Sequence, residues 1–208
     1  DFGLDQPLMT QLWLYLVNLA HGNLGFSFAN RMPVLDLVLE RARITLLLMV
    51  PALVAASILG VVMALAAAPR AGPGADATIT GLSLLGHSVP VFWLAQLLVM
   101  AFAVQLRWLP ASGMISLRST PSGWGGVVDL LQHLVLPASI LGFFALAYIA
   151  RMTRSFMLDQ LAQEYVTTAR VKGVPERVVI WRHAMGPILV PLITVIALSY
   201  GGLLEGSV

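Results

Sequence analysis

Cysteine is absent from the 208 residues, which excludes disulfides and thiolate metal sites. Charge is scarce: 11% of residues are charged and 58% are hydrophobic, against about 25% charged and about 45–50% apolar in ordinary soluble domains. So little charge cannot cover a water-facing surface, and lipid is the natural solvent. The net charge of +2 is too small a footprint for nucleic-acid binding. Lysine occurs once, as Lys172, and Gly173 follows it. A nucleotide-binding P-loop needs Gly-Lys-Ser/Thr with the lysine on the phosphates, so no such loop is present here. Neither HExxH nor GxSxG occurs. His87, His133, His183, Asp129 and Glu205 show no spacing that assembles a catalytic or metal site. No basic n-region and short apolar core open the chain as a signal peptide would. It starts at Asp1 without methionine and stops within an apolar run, as a piece of a longer protein would.

Apolar sequence is abundant. Four charge-free windows occupy residues 44–68, 77–106, 130–150 and 184–204. A bilayer core of about 30 Å needs about 20 helical residues. A backbone in hydrocarbon must satisfy its own hydrogen bonds, so each window predicts a helix. Pro90 should divide the second window, leaving a span near 91–106. The segment "PVLDLVLERAR" (33–43) sets Val34, Leu35, Val38 and Leu39 against Asp36, Glu40, Arg41 and Arg43, as in a short interfacial helix ahead of the first span. Trp108 in "RWLPASG" suits the headgroup level.

Basic residues set the orientation. Arg151, Arg154, Arg170, Lys172, Arg177 and Arg182 cluster between the third and fourth windows, and the positive-inside rule places them, with Arg70, in the cytoplasm. Arg31, Arg41, Arg43, Arg107 and Arg118 fall outside, Arg41 and Arg43 against the trend. The expected organisation is an all-α polytopic membrane protein: an extracytoplasmic segment 1–43, spans at 44–68 and 77–106, an extracytoplasmic loop 107–133, a span at 134–150, a cytoplasmic loop 151–186 and a span at 187–208.

The loop raises the central question. "EYVTTARVKGVPERVVIWRHAMGPILVP" (164–191) carries charge every few residues between greasy stretches. "ARMTRSFMLDQLAQEYVTTARVKG" (150–173) contains no proline, and its one glycine is its last residue, so it predicts one continuous helix. Gly173 is placed to cap it, with Arg170 and Lys172 near the negative end of the dipole. Pro175 and Glu176 suit the first turn of a second helix. Helix, Gly-Val-Pro corner and second helix form an elbow suited to fit a partner.

These residues resemble the EAA loop of permease subunits in binding-protein-dependent ABC importers. The oligopeptide, dipeptide and nickel branch is closest, with "TTARVKG" followed by "RVVIWRHAMGPILVP". "GLDQPL", "GNLGFSF", "RMPVLDLVLER", "HSVPVFWLAQLL", "WLPASG", "HLVLPAS" and "ARMTRSFMLDQL" are similar to that branch in the same order. Thr167 stands where the general motif opens with glutamate, and Glu164 lies one turn earlier. The resemblance implies the type I importer transmembrane fold, in a chain lacking the first span and the C-terminal end. It implies a bacterial inner-membrane location and partners: a second permease subunit, two ABC ATPase subunits, an extracytoplasmic substrate-binding protein and membrane lipid. It assigns ATPase coupling to Glu164, Thr167, Thr168, Ala169, Arg170, Lys172, Gly173, Val174, Pro175 and Arg177, and a peptide as the transported solute, with nickel, glutathione or another small solute as the alternative. Ser88, Gln96, Gln105 and Ser139 are polar positions in or near spans and candidates for the translocation path; bonding to a neighbouring backbone carbonyl is the competing reading. A secondary transporter is disfavoured, because no charge lies within the windows and no internal repeat is visible.

Overall fold

The computed structural model describes residues 5–67, 73–116 and 123–206. Ala68, Arg70, Arg118 and the last two residues of the expected fourth span lie outside them. The chain forms two compact units, Asp1–Leu47 and Leu48–Val208.

The first unit opens with α1 (Leu8–Ala20). Pro7 starts it, its carbonyl accepting the Thr10 and Gln11 amides. Gly22 (φ 78°) ends it. Gly22 N–H donates to Leu19 O and Asn23 N–H to Asn18 O, a Schellman cap. A minimal hairpin follows, β1 (Phe26–Ser27) antiparallel to β2 (Met32–Pro33), with Phe26 opposite Pro33. It is a small exception to the all-α expectation. The Val34 amide then donates to Gly25 O at 3.0 Å, where α2 begins.

Helix α2 covers Val34–Ala67. The expected separate interfacial helix at 33–43 is therefore absent: Pro33 ends β2 and residues 34–43 are the first turns of α2. No glycine or proline stands between Val34 and Val50, and strong helix formers fill the stretch, so nothing stops the helix where the apolar window opens.

The second unit is built around α5 (Trp124–Leu161), which packs against α3 (Pro73–Ser88), α4 (Val91–Leu98) and α8 (Met185–Gly206). Pro90 divides the second window as expected, standing as the N-cap of α4. The two halves, Ala77–Gly86 and Val91–Gln105, meet at 96°, and the second half finishes as a π-helical turn, Val99–Gln105. Among the described residues, three helices are long and apolar enough to cross a membrane, or four if this bent pair counts as one span.

Small residues set the contact between α2 and α5. Ala52, Ala56, Gly60 and Ala64 recur every fourth residue on the buried face of α2. A Cβ on Gly60 would sit 3.2 Å from the Ala150 nitrogen and the Leu146 oxygen, and one on Gly142 would sit 3.3 Å from Ala52 O. Backbones can approach this closely only across glycine, the usual device where lipid gives helices no hydrophobic reason to associate. Leu53, Ala145, Ile149, Leu192 and Val195 then join α2, α5 and α8 in one core. The outer faces stay apolar: Val54, Ile58 and Val62 on α2 and Val190, Ile193 and Leu198 on α8 are exposed, which water penalises and hydrocarbon does not.

Charge enters this core at one end of α5. Arg154 is 4% exposed and its Nη1 donates to Ala67 O at 2.8 Å. The guanidinium thus bonds a carbonyl in the last described turn of α2, toward the negative end of the helix dipole. Near the other end of α5, the Asp129 carboxylate accepts the Ser116 amide at 2.8 Å and the Ser116 hydroxyl. That pair ties the stretch following Arg107 to the helix.

Candidate coupling elbow

The expected unbroken helix from 150 to 173 is corrected by the structure. Helix α5 stops at Leu161, and Gln163, with extended backbone (φ −72°, ψ 148°), starts a separate α6 (Glu164–Val171). Packing causes the break rather than a proline or glycine. Val166 (0% exposed) and Ala169 (7%) on α6 bury against Val179, with Leu161 and Val174 alongside. A straight continuation of α5 would carry this apolar pair away from Val179.

Gly173 closes α6 in the expected manner. Its φ is 77°, its amide donates to Arg170 O at 2.9 Å, and the Val174 amide donates to Ala169 O at 3.2 Å. These are the two bonds of a Schellman motif, and the accompanying apolar contact of Val174 with the Ala169 cluster is present. Pro175 is the N-cap of α7 (Glu176–Val178) rather than its first residue; its carbonyl accepts the Val178 and Val179 amides. Glu176, not Pro175, is therefore the first helical residue. A π-helical turn, Val179–Ala184, leads into α8.

Two polar links brace the elbow. Arg170 donates to both carboxylate oxygens of Glu176, Nη2–Oε1 at 2.7 Å and Nε–Oε2 at 3.2 Å, clamping α6 to α7 across the corner. This hydrogen bonding lowers the Glu176 pKa and raises that of Arg170. The Tyr165 hydroxyl lies 2.7 Å from Gln160 Oε1 and 3.1 Å from His183 O, bridging α5, α6 and the π-helical turn. Neither Tyr165 nor Arg154 was a sequence-derived candidate. A tyrosine in a polar motif and a basic residue among five others carry no mark of burial or bridging.

The ten candidate coupling residues separate into an inner and an outer set. Ala169 is buried inside the elbow and Val174 is half-buried; neither is a free tip. Glu164, Thr167, Thr168, Lys172 and Arg177 are exposed, as are Arg170, Gly173 and Pro175 at the corner. Thr168 donates to Glu164 O at 2.9 Å and Thr167 to Gln163 O at 3.4 Å, so both hydroxyls serve their own helix. Val171 (82% exposed) and Trp181 (62%) add apolar area to this surface. The elbow thus pairs a packed apolar interior, reaching through Val179 to the turn that leads into α8, with an exposed rim.

The path candidates are not brought together. Ser88, Gln96 and Gln105 are exposed. Ser139 lines two adjoining apolar cavities of about 500 Å³ each, one bounded by Leu94, Phe102 and Phe143, the other by Ala52, Leu59 and Leu131. Its hydroxyl donates to Leu136 O at 2.8 Å, the backbone-bonding alternative. Neither cavity is lined by Ser88 or Gln96.

Long apolar helices, one of them a bent pair, close glycine-mediated packing and a braced elbow define a polytopic helical membrane component. Residues 56–208 match the binding-protein-dependent transport system inner membrane component family, and the chain belongs to that family. It is 42% identical over 208 residues to a putative peptide transport system permease protein of Brucella abortus, covering 100% of this chain and 64% of the relative. It is 36% identical over 225 residues to the dipeptide transport system permease protein of Escherichia coli, covering 100% of this chain and 66% of the relative. With a di/tripeptide transport system permease protein of Pseudomonas aeruginosa it shares 40% identity over 220 residues, covering 99% and 66%. The chain thus spans 64–66% of the length of these relatives.

Proposed function

We propose that the protein is a permease subunit of an ATP-driven importer that forms the membrane path for short peptides. The observation that carries the reading is the elbow: a capped, ion-paired, internally packed corner joined to α8 inside the region matching the family. In this reading two ATPase subunits, which hold ATP and magnesium, seat on the exposed rim around Thr167, Thr168, Lys172 and Arg177. A second permease subunit completes the path, and an extracytoplasmic binding protein delivers the solute. The names of the relatives support peptides as the solute class.

The mechanism follows from stiffness. Val166, Ala169 and Val179 form one packed unit, and Tyr165 and Arg170 tie its ends. A displacement of α6 therefore moves the root of α8 rather than dissipating in a loop. Helix α8 shares a core with α2 and α5, so the span bundle switches between packings as a body. Residues 151–186 face the cytoplasm in this account, and residues 1–43 and 107–133 face the opposite side.

The test is uptake into proteoliposomes holding the assembled importer. Labelled dipeptide should accumulate only with ATP and the binding protein present. Accumulation driven by an ion gradient without nucleotide would contradict the reading.

A further inference from the structure

We infer that α1 lies in the plane of the membrane surface, with the stripe Met9, Trp13, Leu16 and Ala20 sunk among the lipid acyl chains. Helix α1 contains no charged residue, and none of its residues is buried by protein. Its thirteen residues rise about 20 Å, too short for a hydrocarbon core of about 30 Å, so it cannot cross.

The two sides of α1 differ. Leu8, Gln11, Leu12, Leu14, Tyr15 and Asn18 line a groove of about 790 Å³ closed on its other wall by Asn23, Gly25 and Phe26, so this side mixes apolar residues with two amides. The helix thus turns its amides, Gln11 and Asn18, toward the hairpin. The opposite side carries Met9, Trp13, Leu16 and Ala20, spaced i, i+4, i+7 and i+11 on one helical face. Met9 is 79% exposed, Trp13 67% and Leu16 50%, an apolar stripe that water would penalise.

Lipid is the occupant for two reasons. The first is continuity: α1, the hairpin and the start of α2 belong to one compact unit, and α2 is a membrane-spanning candidate over Val34–Ala67. Only the thirteen residues 21–33 separate α1 from it, so α1 is held close to the bilayer surface. The second is chemistry. A soluble partner steered by charge finds none on the stripe, whereas an indole beside aliphatic side chains matches the interface between headgroups and acyl chains. The inference holds for either sidedness of the protein and does not depend on the transported solute.

The chain has no cysteine, so single spin labels report without background. Cysteines at Met9, Thr10, Trp13, Leu16 and Asn18 replace exposed side chains and leave the core untouched. In the full chain, assembled in proteoliposomes, collision with oxygen, which concentrates in lipid, is compared with collision with a water-soluble nickel chelate. Labels at Met9, Trp13 and Leu16 should favour oxygen at least ten-fold over the label at Asn18, with a helical period along α1. Nickel access at Met9 and Leu16 equal to that at Asn18 would place the stripe in water and overturn the inference. Loss of both collisions, or nickel access that disappears when the binding protein is added, would also overturn it, because a protein would then be the occupant.

Discussion

Arg170 and Glu176 meet across the corner between α6 and α7 in a two-point ion pair, Nη2–Oε1 at 2.7 Å, six residues apart in sequence. Their side chains remain 41% and 46% exposed, so solvent screening limits the pair to about 0–1 kcal/mol. The Arg170 hydrogen bond holds the Glu176 carboxyl below its ordinary range. A carboxyl whose folded pKa is depressed contributes stability above its unfolded value and loses it as pH falls through the folded value. Glu176→Gln should therefore speed hydrogen exchange at the Gly173 and Val174 amides at neutral pH by up to about five-fold. The difference from wild type should vanish below the carboxylate range. A difference that persists in acid would show that the carboxylate charge is not what braces the corner.

Gly173 adopts φ 77° with open space where a Cβ would stand. Substitution there costs backbone energy without a clash, about 1–2 kcal/mol for an ordinary L-residue. Asparagine tolerates this region and a β-branched residue does not. Gly173→Asn should co-purify with the ATPases near wild-type level, and Gly173→Val should lose most of the complex. Equal co-purification of the two would remove backbone conformation as the reason for glycine.

Ala169 separates interior from rim. A bulky residue at an exposed tip would strike a partner, but Ala169 packs with Val166 and Val179. Ala169→Trp should overpack the elbow itself and destabilise it by about 1–3 kcal/mol, visible as faster proteolysis of the isolated permease. Thr168→Trp, on the exposed rim, should leave the isolated permease protease-resistant and weaken ATPase binding at least ten-fold. If Ala169→Trp left proteolysis unchanged, the interior packing would be wrong.

Gly60 sets the α2–α5 distance. Gly60→Leu should abolish stable folding in detergent. Gly201→Ala, where a Cβ meets nothing within 4 Å, should be neutral or stabilise α8 by about 0.5–1 kcal/mol. Thermal unfolding of the two purified variants reads the contrast directly.

Sidedness is tested with an impermeant thiol reagent on intact cells. Ser116 is a poor reporter because Asp129 holds it; Ser112, exposed in the same loop, replaces it. Ser112→Cys should label from outside and Thr168→Cys only after permeabilisation.

The spans were legible because hydrocarbon tolerates so little: charge-free windows of about 20 residues have few alternatives to helices. Gly173 was legible for an equally local reason, since a glycine after a basic last turn is a cap signal. The break at Ala162–Gln163 was not. Its neighbours favour helix, and only the distant Val179 supplies the reason to turn. The burial of Ala169 has no mark in the sequence, because Thr168 and Arg170 on either side of it are polar. Arg154 is one of several basic residues in the sequence, and its acceptor, Ala67 O, lies 87 positions away. The π-helical turns have no composition of their own and were invisible for the same reason: packing, not propensity, decides them.

In the proposed mechanism the elbow transmits ATPase motion to the spans. The most direct test of that mechanism measures ATP hydrolysis and dipeptide uptake in the same proteoliposomes, for wild type and for Tyr165→Phe. That variant removes the hydroxyl shared with Gln160 and His183 O and leaves the exposed rim intact. ATPase subunits should stay bound and hydrolysis should continue, while peptide transported per ATP falls several-fold. Unchanged transport per ATP in Tyr165→Phe, and again in Tyr165→Phe combined with Glu176→Gln, would contradict it.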